Sequence, residues 1–190
     1  RVFASGGRAV NFKNFNYEGQ ASDIDDHALV IVEYENGVRG QFTLNMFSEE
    51  LYESLAVSGD LGTLRAEEQA SFKPGRGSSS KITVEVPGHA AYDGFDCTFP
   101  EAIESGGHYG STLFEHVRFA KRVQGQQSDG ASCAEGLWAI ITAWMAQESI
   151  TTNTVVDVRE TLSGLGLDPF GEGLIPDINK CPKSGEANPS

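Results

Sequence analysis

The stretch from His27 to Phe47, HALVIVEYENGVRGQFTLNMF, alternates apolar and polar residues on either side of an Asn-Gly pair. A period of two sends successive side chains to opposite faces of an extended chain. Leu29, Ile31 and Glu33 share one face, and Val30, Val32 and Tyr34 the other. Asn36-Gly37 suits a type I′ turn, in which both central residues take positive φ. On the return, Val38, Phe42, Leu44 and Met46 form an apolar row, and Arg39, Gln41, Thr43 and Asn45 a polar one. One face of this hairpin is therefore buried, and the other is wet or covered by a partner. ESLAVSGDLGTLRAE, from Glu53 to Glu67, predicts a second hairpin turning at Gly59-Asp60-Leu61-Gly62. RVFAS at the start and KITVEV, Lys81 to Val86, predict further strands.

From about residue 109 the period becomes helical. Thr112 and Glu115 have capping-box spacing, so a helix is predicted to start near Ser111–Thr112, with Gly125 ending it. Leu113, Phe114, Val117 and Ala120 make its apolar stripe. Ser132 and Glu135 repeat the capping-box spacing and open a second helix. There Leu137, Trp138, Ile140, Ile141, Trp144 and Met145 cover more than one side, which predicts a largely buried helix. TVVDV, Thr154 to Val158, predicts a last short strand. Lys73–Ser80 is a loop by composition, and Pro87–Gly107 has no clean period and is taken as a long loop. The organisation that follows is one domain over residues 1–160 and a loop-rich tail over 161–190. Strands first and helices last predict an α+β fold: an open, mainly antiparallel sheet with helices packed on one face and the other face available for dimerisation.

Composition narrows the function. The 190 residues include 27 acidic and 14 basic ones, for a net charge of −13, which repels phosphate backbones and excludes nucleic acid as a natural partner. No apolar run is long enough to cross a membrane, and no signal-peptide pattern is present. Cys97, Cys133 and Cys181 form no CxxC pair, and an odd count implies no disulfide framework, so a reducing, cytoplasmic setting is expected. The chain opens on Arg1 within a strand-like stretch, and sequence upstream is expected.

Candidate chemistry is sparse. His108 and His116 are eight apart, ~12 Å along a helix axis, too far to share one metal. The residue four before His116 is Thr112, so there is no His-Glu-x-x-His zinc motif. Glu115 is expected to cap the helix and His116 to sit half-buried on it. His108 differs, because it precedes the helix among Gly106, Gly107 and Gly110, where the backbone has unusual freedom and the helix amides point outward. A His and a Tyr there either meet a polar ligand or satisfy loop carbonyls. DIDD, Asp23 to Asp26, lacks the glycine and final glutamate of a calcium loop and is taken as a solvated acidic loop. ASGGRAVN is not GxGxxG, and no strand–glycine–helix unit surrounds it, so no dinucleotide site is expected in this chain. No GxSxG nucleophile elbow occurs.

Four segments then occur in a fixed order: DIDDHALVIVEYENGVRGQF, LAVSGDLGTLRAE, GGHYGSTLFEHVRFAKRVQG and GLWAIITAWMAQESITTNTVVDV. Together, over about Arg1 to Val158, they resemble the C-terminal domain of the glucose–fructose oxidoreductase and inositol dehydrogenase family. The resemblance implies a two-domain parent enzyme. Its N-terminal Rossmann half binds NAD or NADP and carries a catalytic lysine in a Glu-Lys-Pro motif. Its second domain supplies an Asp/His pair on a first helix, a substrate pocket and an open sheet used for dimer contacts. This sequence has no Rossmann fingerprint, no Glu-Lys-Pro and no Asp-x-x-x-His helix before its first strand. The expectation is a substrate-binding and oligomerisation domain whose catalytic half is absent from this chain, inactive alone. The substrate implied is a secondary alcohol of a sugar or cyclitol. His108, Tyr109 and Ser111 are the substrate-binding candidates. No catalytic, cofactor-binding or metal-ligating residue is assigned, and NAD or NADP belongs to the complete protein. The competing expectation is a non-catalytic dimerisation or small-molecule-binding module on the same fold.

Overall fold

The computed structural model describes residues 1–71, 79–89, 92–96 and 108–167. Cys97, Cys181, Gly106, Gly107, most of the two expected loops and the expected tail beyond Leu167 lie outside the described residues. The fold is α+β with antiparallel sheets. Its contacts divide the chain into two compact units, Arg1–Phe47 with Gly125–Ser190, and Ser48–Gln124.

In the first unit β1 (Val2–Gly7), β4 (His27–Glu33) and β5 (Arg39–Asn45) form a three-stranded sheet in the order β1-β4-β5. Between them, β2 (Asn16–Tyr17) and β3 (Gln20–Ala21) make a small hairpin. The period of two settles the register. Ala4 pairs with Val30, and Val30 with Phe42, so these residues share a face. The β4–β5 turn differs from the expected type I′. Gly37 has φ 85° and Asn36 is not among the positive-φ residues. Tyr34 N donates to Val38 O at 2.9 Å, and Gly37 N donates to Tyr34 O at 3.1 Å. The loop thus has three residues and a single left-handed glycine, a form that also matches strand twist.

Helix α2 (Cys133–Thr152) lies on this sheet. Ser132 caps it, and its hydroxyl and the Glu135 side chain exchange the predicted capping box. The core joins Val2, Ala4, Ala28 and Val30 to Met145, Ala146 and Val156. The predicted burial of α2 holds for one side only. Met145 is fully buried, whereas Ile140 is 69% exposed and Trp144 42%. One sheet supplies one wall, and the remaining apolar positions of α2 stay uncovered in this unit. TVVDV is not a full strand. Val156 makes an isolated bridge with Val2, and helix α3 (Val158–Gly164) starts at once, capped by Asp157. Leu162, on α3, is 1% exposed, so order continues past the boundary expected at residue 160.

The bridge matters because β1 is an edge. Val2 N and O bond to Val156 at 2.9 and 2.8 Å. The next outward amide, Ala4 N, donates to Ser149 Oγ at 2.9 Å, and that hydroxyl donates onward to Thr154 O at 2.6 Å. Ser149 is wholly buried, so its single hydroxyl satisfies a strand amide and a carbonyl beyond the helix end.

The second unit is a meander, β6 (Glu50–Gly59), β7 (Gly62–Ser71), β8 (Ser79–Glu85) and β9 (Tyr92–Asp96), followed by helix α1 (Ser111–Val123). The β6–β7 turn is at Asp60-Leu61 as predicted. Gly62 has φ 151°, and a Cβ there would fall 2.3 Å from Glu85 O, so glycine is required. Tyr52 Oη donates to Glu67 Oε1 and Gln69 Nε2 to Glu50 Oε2, tying the strands across the ladder. Strand β9 was not predicted. A register irregularity between Lys81 and Thr83 breaks its period, and YDGFD carries little alternation. No residue of α1 is buried.

Replacing Ser149 by Ala leaves the Ala4 amide and the Thr154 carbonyl without this partner in a dry site. The expected loss is ~1–3 kcal/mol in urea unfolding, against less than about 0.5 kcal/mol for Ser163→Ala at an exposed position of α3. Equal effects would show that the Ser149 hydroxyl is not holding the edge.

Candidate functional site

His108, Tyr109 and Gly110 form a single 3-10 turn that runs into α1. His108 is exposed and sits at φ 43°, a left-handed conformation that non-glycine residues seldom take. Gly110 is the N-cap of α1 at φ 92° and offers no side-chain cap. The predicted Thr112–Glu115 capping box is therefore absent, because the chain enters the helix through Gly110, two residues earlier than that box requires. Ser111 is the first residue of α1 and is exposed. The turn thus sets His108 and Ser111 at one helix start, with Tyr109 between them along the chain, and the N-cap Gly110 supplies no side chain to its first amides. His116 is exposed rather than half-buried, since α1 buries none of its residues, and its Nδ1 lies 2.7 Å from Thr112 O.

A second constellation lies in the first unit. Of the acidic run at 23–26, Asp26 is not solvated at all: it is 0% exposed. Its Oδ1 accepts from Ala9 N, and its Oδ2 from Val10 N and Asn11 N, all at 2.8 Å. His27 Nδ1 is 3.0 Å from Oδ1. Burial alone would raise the carboxyl pKa. The His27 contact and the three amides outweigh it and hold Asp26 well below the usual carboxylate range. The signal was present in the sequence: extending the period of two back from Ala28, Val30 and Val32 puts Asp26 on the core face. Its partner His27 lies on the opposite parity, half exposed and edge-on to the Phe47 ring. Among the described residues no three His, Cys, Asp or Glu gather as a metal site.

The sheet itself presents two apolar surfaces. On the outer face, Phe3 lies opposite Ile31 and Ser5 opposite Leu29, with Gln41 and Thr43 beyond them on β5. Phe3, Ile31 and Leu29 are 38%, 51% and 58% exposed. The outer face is therefore less polar than the β5 row alone suggested. On the core face, a groove of about 1860 Å³ opens between β4–β5 and α2, with Phe42 on one wall and Trp138 on the other.

Dinucleotide chemistry can be tested against the described residues. A pyrophosphate needs free amides at a helix that follows a strand through a glycine-rich turn. At the start of α2 the Ser132 hydroxyl takes the Glu135 amide and no glycine-rich turn from a strand precedes the helix, and α1 follows a 3-10 turn rather than a strand. These residues do not fit the group.

Residues 3–158 match the family model described as the oxidoreductase family, C-terminal alpha/beta domain. A crystal structure of an oxidoreductase from Agrobacterium radiobacter, in complex with NAD+, L-tartaric acid and magnesium, has a similar fold. Its TM-score is 0.50 at 16% identity, over 85% of this chain and 44% of that one. This chain thus spans less than half the length of that protein. No curated protein matches the chain.

Asp26 supplies a pH signature. Its folded pKa lies below the ~3.9 of an unfolded aspartate. The stability it adds is therefore fully present above about pH 4 and is lost as pH falls through the folded value. Asp26→Asn should lower the melting temperature at pH 7, and its deficit should shrink below about pH 4, whereas Asp23→Asn should do neither. A deficit that does not change with pH would refute an ionised, buried Asp26.

Proposed function

The chain belongs to the oxidoreductase family, as its C-terminal alpha/beta domain, and from that membership we propose that it is the substrate-binding and subunit-pairing part of an NAD(P)-dependent oxidoreductase. The family match over residues 3–158 carries this reading. The proposed substrate is a secondary alcohol of a sugar or cyclitol, oxidised by hydride transfer to a nicotinamide. Because the described residues do not fit a dinucleotide, the cofactor would be held by another part of the complete protein.

His108, Tyr109 and Ser111 are the proposed substrate contacts. What supports them is the exposed imidazole of His108 and hydroxyl of Ser111 beside helix amides to which the N-cap Gly110 offers no side chain. Such groups suit neutral hydroxyls, which need both donors and acceptors. The exposed Phe3, Leu29 and Ile31 support subunit pairing through the outer sheet face, where apolar area is costly to leave in water. The runner-up is a non-catalytic binding or pairing module, favoured by the same lack of fit to a dinucleotide.

Two outcomes test the reading. In the complete enzyme, His108→Ala should reduce kcat/KM roughly 5- to 150-fold, as expected for a lost ligand hydrogen bond of ~1–3 kcal/mol, with cofactor affinity unchanged. Unchanged kcat/KM would remove His108 from the site. Sedimentation at tens of micromolar should show a dimer or larger species, and Ile31→Lys should shift it to monomer with its circular dichroism preserved. A wild-type monomer would argue against pairing.

A further inference from the structure

We propose that Asn36-Gly37 is a self-modification site, where the chain converts its own asparagine through a succinimide into isoaspartate and aspartate and so loosens the β4–β5 hairpin. The inference rests neither on the oxidoreductase reading nor on a partner, because both reacting groups belong to one loop and the co-reactant is water.

The loop prepares the reaction. The sequence contains one Asn-Gly pair, and it lies at the exposed tip of the hairpin. Val38 N donates to Asn36 Oδ1 at 3.1 Å. That bond folds the carboxamide back across the Gly37 peptide unit and draws electron density from Cγ. The nucleophile beside it is the backbone nitrogen of Gly37. Gly37 sits at φ 85°, and a Cβ there would meet nothing within 4 Å. No side chain shields the nitrogen, and glycine lets the backbone swing toward Cγ at little cost. Attacker and target are held in one residue pair, so no second molecule has to be brought in for the ring to close.

The steps balance with water alone. A hydroxide takes the amide proton of Gly37, the nitrogen bonds to Cγ, and the Cγ–Nδ2 bond breaks. Nδ2 leaves as ammonia, with its extra proton from water. Water then opens the succinimide. Opening at Cγ restores the original main chain and leaves aspartate. Opening at the main-chain carbonyl of residue 36 leaves the chain running through Cγ, as isoaspartate. Nothing is oxidised or reduced.

Asn45 is an internal control. It is also exposed, and its Oδ1 accepts from Phe47 N at 3.0 Å, the same side-chain turn. Its next residue is Met46, which has a Cβ beside the nitrogen and an N–H tied to Asp26 O at 2.9 Å. The two asparagines thus differ in the residue that must attack. Gly37 N carries a restraint of its own, a bond to Tyr34 O at 3.1 Å. This bond must open first, so the folded loop reacts more slowly than a free peptide. It lies in an exposed loop, where opening is cheapest.

Isoaspartate moves a methylene into the main chain of a three-residue loop that the Tyr34 N to Val38 O bond closes at 2.9 Å. The lengthened loop no longer fits that bond. Glu35, which pairs with Arg159 on α3, is displaced with it.

The experiment is incubation of the full chain at neutral pH, followed by digestion and mass spectrometry. The peptide containing residue 36 should first lose ammonia and then end about one mass unit heavier. An isoaspartyl methyltransferase should label it, and hydroxylamine should cleave the chain between Asn36 and Gly37. Conversion should quicken as pH rises, since the first step removes the Gly37 amide proton. The Asn45 peptide should not change. Asn36→Ser, which keeps an acceptor for Val38 N, should abolish the reaction. In the isoaspartate fraction the Tyr34 amide should exchange roughly tenfold faster than in Asn36→Asp, the worth of one hydrogen bond. That variant carries the charge without the extra main-chain atom. The proposal is overturned if residue 36 stays unchanged while a free peptide spanning Tyr34 to Arg39 converts, or if Asn45 converts as fast. Equal exchange of Tyr34 in the two forms would overturn the loosening of the hairpin.

Discussion

Helix α2 carries apolar side chains around its whole circumference, and a sheet can cover a helix from one side only. Met145, Ala146 and Ser149 go to the sheet and are buried; Ile140 and Trp144 do not and stay exposed. Much of the first unit follows from that shortage of cover. Its core is narrow, with small residues such as Ala4, Ala28 and Ala146 letting strand and helix close tightly around Met145. Beside that line of contact, a groove remains between helix and sheet. A helix of this composition is ordinarily internal, so a domain that holds one with a single wall is shaped to be completed by something else.

The three-stranded sheet has the same character. Antiparallel sheets commonly keep one apolar face and one polar face. Here Val30 faces α2 while Leu29 and Ile31 face away, and both sides carry apolar area. The β5 strand alone shows the usual alternation, because Gln41 and Thr43 border the outer patch. Polar borders around an apolar centre are the ordinary anatomy of an interface.

The sequence revealed the elements better than their surroundings. The period of two located β4 and β5, the glycine pair located the β6–β7 turn, and Ser132–Glu135 located the start of α2. Each is a local signal with a local cause. The Asn36-Gly37 turn was misassigned because a three-residue loop with one left-handed glycine uses the same dipeptide. The capping box at Thr112 was matched in spacing but not in structure, since Gly110 already begins the helix. The burial of Asp26 was legible only by carrying strand parity one residue further into an acidic run, where composition suggested solvent. Exposure of α1 and α2 could not be read from periodicity at all. An apolar stripe says that a helix seeks a partner, not that this chain supplies one. The His108 turn was legible as a glycine-bracketed helix start. Its left-handed histidine was not, because nothing in the residue types distinguishes a strained His from a relaxed one.

The hydroxyl of Ser149 links events that are distant along the chain. It joins the β1 edge to the turn after α2, and the Val2–Val156 bridge lies just beside it. For deuterium to reach the amide of Ala4, the hydroxyl must let go, and Thr154 then loses its donor as well. Opening of the strand edge and fraying of the helix C-terminus are therefore one event with one free energy. The amides of Val2, Ala4 and Val156 should exchange at a common rate set by that opening. The first strand and the C-terminal end of α2 thus unfold together, although more than a hundred residues separate them in the sequence.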